Sequence, residues 1–367
     1  LKRIHPHWSS ASISTATTFL YLSGAVLLWF VGSAFNRFGL RRTILAGMAA
    51  MAVGAGALPF IDALWQLYAA FLVLAAGWST MSITGVATII ASRFDERRGM
   101  ALSLALNGAS CAGIVISPAM LLLSQAHDFR TGVLAVVAAM ILVLTPLVWF
   151  SLAPDRRRTG AADAAAKEAA AAAPDRFAIL RSLSFWSVTA PFSMVLVAQV
   201  GFVTHQVAFL APRIGAAEAA LAVALTTGAA VAGRLSLGLV IDRLNQRMVS
   251  AAAFLLQAAA FALMASTSDM LALYTGCIAF GLNVGNVITL PPLIVQREFP
   301  PIAYAVVVGM VSAATQFASA FGPALLGLVR DLAGGYGQAL MLCVLLNGIA
   351  SVLVLLRRRR RGAAQVP

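Results

Sequence analysis

Carboxylates are scarce in this chain. Thirteen Asp and Glu residues stand against 26 Lys and Arg, and charged residues of all kinds make up only 11 % of 367 positions. None of the acids falls well inside an apolar run. Chemistry that depends on paired carboxylates or on a His/Asp/Glu metal cluster has nowhere to assemble. Histidine occurs four times and cysteine three times; Cys111, Cys277 and Cys343 lie within apolar runs, without metal-ligand spacing, and read as small core residues. There is no Ser/His/Asp set and no phosphate loop, and the hydrophilic connections are too short to hold a catalytic domain. An enzyme, a metal site and a bound cofactor are therefore not expected.

Apolar residues are abundant. They form 60 % of the chain, and the mean hydropathy is +0.89, far from a soluble domain. The net charge of +13 and pI near 11.1 would suit a nucleic-acid partner if the basic residues were clustered. They sit instead in short turns between apolar runs, which is the pattern that orients membrane proteins, so nucleic acid is excluded as a partner. Apolar runs occupy roughly 14–35, 43–60, 64–91, 100–124, 131–152, 183–212, 217–241, 248–266, 270–295, 304–329 and 337–356. These lengths approach or exceed the ~20 residues that cross a bilayer core. Backbone groups in lipid must be paired within the segment, so each span is helical and the fold is an all-α polytopic membrane protein. Gly77, Pro191, Pro291 and Pro292 inside the runs mark expected bends. Residues 1–13 are polar and lack the apolar core of a secretory signal.

Two landmarks repeat in one register. Gly32-x-x-x-Asn36-Arg37-x-x-x-Arg41 returns as Gly238-x-x-x-Asp242-Arg243-x-x-x-Arg247, an offset of 206 residues, and Pro118 returns as Pro323 at 205. The register implies a duplicated half. It also aligns Pro6 with Pro212, at the end of the span at 183–212, so a helix is expected before the first one present and the eleven spans count as helices 2 to 12. The expected layout is an N-terminal half over 1–152, a hydrophilic Ala- and Arg-rich linker over 153–182, a C-terminal half over 183–356 and a basic tail over 357–367. Twenty basic residues, including Arg357 to Arg361, fall on the side of the linker and tail, and five (Lys2, Arg3, Arg130, Arg213 and Arg330) on the other. That excess places the carboxy terminus in the cytoplasm of a cell (inner) membrane protein, with anionic lipid headgroups as partners of the basic ends.

The paired turns, the small-residue run into Pro118, the central linker and the six-plus-six repeat resemble the major facilitator superfamily. That resemblance implies two six-helix halves and a secondary transporter. In such turns Gly32 and Gly238 let helices approach closely, while Arg37, Arg41 and Arg243 meet acids or helix-end carbonyls and Asp242 supplies an acid, so that the contacts hold a gate shut. Asn36 stands where the family usually has Asp, which weakens the first copy.

Helices 7 and 8 resemble most closely the monocarboxylate transporters and the oxalate/formate antiporters, on GFVTHQVAFLAPRIG (Gly201 to Gly215) and GRLSLGLVIDR (Gly233 to Arg243). The resemblance places Arg234 where those families bind the substrate carboxylate. An independent reason is that an Arg at lipid depth costs about 2.5–3.5 kcal/mol or more and is normally retained for function, and its planar fork suits a carboxylate. Ala230 stands where monocarboxylate transporters carry a coupling Asp, and no Lys lies between Pro301 and Arg330, where the oxalate/formate type carries one. One cation fits a monoanion better than a dianion. Asn107, Asn283 and Gln316 are the other polar candidates for cargo contact, and His205, toward the outer end of its helix, is the candidate outer gate or proton relay. The expected partners are a small organic anion, a proton or counter-anion, and membrane lipid, the protein acting as a monomer. The competing reading is a carrier of a drug-like or neutral solute in which Arg234 is structural.

Overall fold

The computed structural model describes residues 10–94, 97–108, 128–152 and 175–356, with side chains from Thr15 onward. Every regular element among them is helical. In chain order the first are α1 (Ser10–Phe38), α2 (Leu40–Ala57), α3 (Leu64–Met81), α4 (Ile83–Arg93), α5 (98–108) and α6 (Phe129–Ser151). After the short α7 (Arg176–Arg181) come α8 (Leu183–Ile214), α9 (Ala216–Val240), α10 (Gln246–Ser266) and α11 (Met270–Glu298). The last are α12 (Tyr304–Ser319), α13 (Gly322–Ala333) and α14 (Tyr336–Leu353). Ten of the described segments are long and apolar enough to cross a membrane. The expected span at 100–124 is seen as α5, and its remainder with Pro118 lies outside the described residues, as do most of the linker and the basic tail. Leu142 and Phe150 on α6 are 73 % and 84 % exposed, as a lipid-facing surface requires.

Local chemistry sets the helix ends. Asp128 accepts from the Thr131 N–H at 2.6 Å, Ser182 from Phe185 at 3.1 Å, and Asn245 from Arg247 at 3.0 Å, each side chain satisfying a backbone donor at a helix start. One-residue turns join α1 to α2 at Gly39 (φ 84°) and α8 to α9 at Gly215 (φ 90°), positions that a side chain would strain. Two of the expected spans are interrupted. The run at 64–91 breaks at the extended residue Ser82 and not at Gly77. Ser79, Thr80 and Ser82 each donate a hydroxyl to the carbonyl three residues back, which competes with the helical ladder. The run at 304–329 breaks at Ala320 and Phe321, because Pro323 has no N–H to offer the Ser319 carbonyl. By contrast α8 and α11 remain helical through Pro191, Pro291 and Pro292.

The described residues fall into two compact units. The first draws on Leu1–Pro174, Arg234–Asp242 and Phe299–Ala320, the second on Asp175–Gly233, Arg243–Glu298 and Phe321–Pro367. In the first, α1 lies against α12 so closely that a Cβ on Gly32 would collide with the Ala305 carbonyl and one on Gly309 with the Leu28 carbonyl. Gly77 takes a packing role against the Gly47 carbonyl in the same way. Small residues at such crossings give dispersion contacts that lipid-facing Leu cannot. Thr84, fully buried, donates or accepts a hydroxyl bond with Ser312 at 3.2 Å between α4 and α12.

The second unit is built around Phe202. Its ring meets those of Phe261, Phe280 and Phe209 edge to face at centroid distances of 5.3, 5.0 and 6.0 Å, each pair contributing about 0.5–1.5 kcal/mol beyond burial. One residue earlier, Gly201 packs backbone to backbone with Gly322 of α13. Gly201→Val is expected to cost about 1–3 kcal/mol through overpacking. It would be read as a lower thermal unfolding midpoint in detergent; an unchanged midpoint would contradict the close approach of α8 and α13.

Candidate functional site

Arg234 enters the first unit from α9, and only 7 % of it is exposed. Its Nη1 donates to the Asn107 Oδ1 at 3.1 Å and to the Leu106 carbonyl at 3.2 Å, both on α5. Asn107, itself buried, donates its amide to the Ser103 carbonyl at 3.1 Å, which turns its oxygen toward the guanidinium. These two acceptors are neutral, and they orient the guanidinium. Two of the sequence candidates, Arg234 and Asn107, are thus in direct contact. Gln316, half-buried on α12, belongs to the same unit without a hydrogen bond to either being seen.

The turn that follows α9 has a defined job at the start of α5. Asp242 Oδ1 accepts from the Gly99 N–H at 2.7 Å and Oδ2 from the Met100 N–H at 3.3 Å, placing a carboxylate on free donors at a helix N-terminus. Gly238 lies against Ser103, where a Cβ would be too close. The repeat-related Asn36 reaches only a carbonyl, that of Ile302, at 3.5 Å, so it makes one weak contact where Asp242 makes two with charge. Arg37 and Arg243 are exposed. Arg41 lies 3.5 Å from the centre of the Trp149 ring, a cation–π contact.

In the second unit, Asn283 is buried and returns its amide to the Ala279 carbonyl of its own helix at 3.0 Å. His205 has both ring nitrogens engaged. Nε2 lies 3.0 Å from the Pro323 carbonyl, and Nδ1 3.0 Å from the Tyr336 hydroxyl. A carbonyl only accepts, so Nε2 carries the hydrogen and Nδ1 receives the hydroxyl's. His205 therefore ties α8 to both α13 and α14.

Three further polar groups of this unit stand out in the structure. Arg247 is not merely a topology marker. Its Nε and Nη2 meet the Glu298 oxygens at 2.6 and 2.7 Å, while Nη1 donates to the Val354 carbonyl at 2.5 Å and Nη2 to Ser187 at 2.8 Å. One buried guanidinium thus joins α8, α10, α11 and the end of α14. The only hint in the sequence is that Glu298 closes its span as an acid among bases. Gln199, at the middle of α8, is buried; it donates to the Val284 carbonyl at 3.4 Å, and its Oε1 has no partner among the described residues. Asn286, whose amide returns to the Leu282 carbonyl, also has an unpartnered Oδ1. Both amides stand out as polar residues in apolar runs. No group of three or more potential metal-ligating side chains occurs among the described residues.

Comparison with known proteins bears on this arrangement. A family model described as the Major Facilitator Superfamily matches residues 4–323 and again 214–367. The chain is 32 % identical over 118 residues to human monocarboxylate transporter 11 and 31 % identical over 118 residues to the mouse protein. Each match covers 32 % of this chain, and 25 % and 26 % of those two proteins. Among solved structures, a variant of the E. coli fucose:proton symporter FucP superposes with a TM-score of 0.72 at 16 % identity, covering 94 % of this chain and 90 % of the other. FucP in the outward conformation gives 0.73 at 17 %, covering 95 % and 90 %. At such identities the likeness is one of fold.

The Arg247–Glu298 pair predicts a marked non-additivity. Glu298→Gln alone leaves a buried guanidinium poorly compensated and is expected to cost about 3–5 kcal/mol, whereas Arg247→Met with Glu298→Leu costs much less. A double-mutant cycle on unfolding in detergent measures it. Additive losses would contradict the pair.

Proposed function

Because the chain belongs to the Major Facilitator Superfamily, we propose that this integral membrane transporter is a secondary active carrier of a small organic monoanion of the monocarboxylate type, working by alternating access. The observation that carries this reading is the burial of Arg234 beside the two neutral acceptors on α5. It lies eight residues, about 12 Å of helical rise, from the Asp242 turn. A guanidinium retained there offers a cargo carboxylate a bidentate, charge-assisted pair that water-filled turns do not. The similarity to monocarboxylate transporter 11 supports the same cargo class.

In the proposed cycle Arg234 exchanges the Asn107 and Leu106 oxygens for those of the cargo. The Asp242 contact with the start of α5 holds the gate closed and breaks on opening, at a cost of about 1.5–3 kcal/mol for each hydrogen bond to a charged group. His205, bridging α8, α13 and α14, serves as the outer gate or proton relay, the coupling species being a proton or a counter-anion. The protein works as a monomer in the cell membrane with its carboxy terminus in the cytoplasm. A second reading is favoured by the same hydrogen bonds: if they lock Arg234 permanently, the cargo is a neutral solute, as the fucose symporter's is.

A thermal-shift panel in detergent separates the two readings. Lactate, pyruvate and formate are expected to stabilise the protein. Oxalate and uncharged analogues are not, and Arg234→Ala is expected to insert normally yet lose the response. Wild-type stabilisation surviving in that variant would rule out the anchor, and stabilisation by neutral solutes alone would favour the second reading.

A further inference from the structure

Two amides in the core of the second unit are not used by the transport reading. Gln257 on α10 is fully buried, and neither its Nε2 nor its Oε1 has a partner among the described residues. Asn347 on α14, also fully buried, donates to the Cys343 carbonyl at 2.9 Å and leaves its Oδ1 without a partner among them. Helix register brings the two to one depth. α10 runs parallel to α8, with Phe254 against Phe192 and Phe261 against Phe202 at ring-centroid distances of 5.1 and 5.3 Å, and Gln257 stands between these contacts. α14 packs along α10 and runs antiparallel to both helices. Arg247 joins Ser187 to Val354, and eleven residues further along α8 and back along α14 the Cys343 Sγ lies 4.0 Å from the Ala198 carbonyl. Asn347 stands between those contacts. Counted from Arg247 and Val354, Gln257 is ten residues along α10 and Asn347 seven back along α14, about 15 and 10 Å of rise. Side chains lean toward the N-terminus of their own helix, so the two amides lean toward each other's level. Gln199 precedes Phe202 by one turn, as Gln257 precedes Phe261, so its unpartnered Oε1 belongs to the same layer.

The unpartnered set is one amide NH2 group and three amide oxygens, so acceptors predominate. Whatever completes it must both donate and accept. A cation would answer the oxygens alone and carry an unpaired charge into an apolar core, whereas water does both and stays neutral. We propose that this layer is a binding site for ordered water, held by Gln257 and Asn347 with Gln199 at its edge. Two molecules complete it. The first accepts from Gln257 Nε2 and donates to Asn347 Oδ1 and to the second, which donates to the Gln257 and Gln199 oxygens. The site then ties α8, α10 and α14 together at mid-depth, as Arg247 does at their ends.

The test is X-ray radiolysis of the protein in detergent, read by peptide mass spectrometry. Hydroxyl radicals formed from a bound water oxidise the side chains beside it, while buried side chains away from water oxidise slowly. Cys343 is the reporter, since the Asn347 amide rests on its carbonyl. Cys277 is the control: it is equally buried in the same unit, and its polar neighbours Gln206 and Thr226 are bonded to each other. Oxidation of Cys343 is expected to run several-fold faster than that of Cys277, and to fall to the Cys277 rate in the double variant Gln257→Leu, Asn347→Leu. Replacing both amides by apolar side chains leaves little unpaired, so the double variant should unfold near the wild-type midpoint, whereas Asn347→Leu alone strands Gln257 and lowers it. Equally slow oxidation of the two cysteines in the wild type would overturn the site, a comparison that stands even if a variant fails to fold. A fast Cys343 rate surviving in the double variant, with Cys277 unchanged, would overturn it as well. A wild-type midpoint raised by sodium relative to choline would overturn the assignment to water.

Discussion

Lipid offers no hydrogen bonds, and the rest of this structure depends on that constraint. Each backbone donor and acceptor in a span must be satisfied within its own helix, so every regular element among the described residues is helical. With water absent there is also little hydrophobic gain in bringing two such helices together. Contact comes from close approach, which explains why Gly32, Gly201, Gly309 and Gly322 each face a neighbouring backbone carbonyl. Polar side chains in the same medium either return to their own helix, as Asn283 and Asn347 do, or hold another element. Arg234 and Arg247 belong to the second kind, and they mark where the fold invests in something other than dispersion.

The two arginines illustrate different uses of a buried cation. Arg247 meets a carboxylate through two bonds and a helix-end carbonyl through a third, so its charge is neutralised in place and it works as a tie between helices. Arg234 donates to two amide oxygens of α5, contacts that an incoming carboxylate could replace in the proposed cycle. The turns show a parallel asymmetry. Asp242 holds two N–H groups at the start of α5, and its repeat mate Asn36 touches one carbonyl at 3.5 Å. In the proposed cycle the second turn is therefore the stronger latch.

Much of this was legible in the sequence because the physics that governs it is local. Run length and hydropathy give the spans: 183–212 against the observed Leu183–Ile214, and 270–295 against Met270–Glu298. A repeated Gly-x-x-x-Asp/Asn-Arg marks both turns, and an Arg flanked by apolar residues stands out without help. Breaks in the helices were harder to read. Gly77 and the prolines draw attention, yet Ser82 interrupts its span through three neighbouring hydroxyl bonds, while α8 and α11 pass through their prolines. Long-range pairing was not legible at all. Nothing in the sequence joins Arg247 to Glu298 at a separation of 51 residues, or Arg234 to Asn107 at 127, and the unpartnered Oε1 of Gln199 is visible only once its neighbours are in place.

The claim that Arg234 anchors a cargo carboxylate is tested most directly by uptake of radiolabelled pyruvate into proteoliposomes made with the wild-type chain, Arg234→Lys and Arg234→Ala. Saturable uptake by the wild type, competed by lactate and lost in both variants, is the predicted result, since a lysine keeps the charge but not the planar fork. Pyruvate uptake by Arg234→Ala at the wild-type rate, or wild-type uptake confined to uncharged solutes, would contradict it.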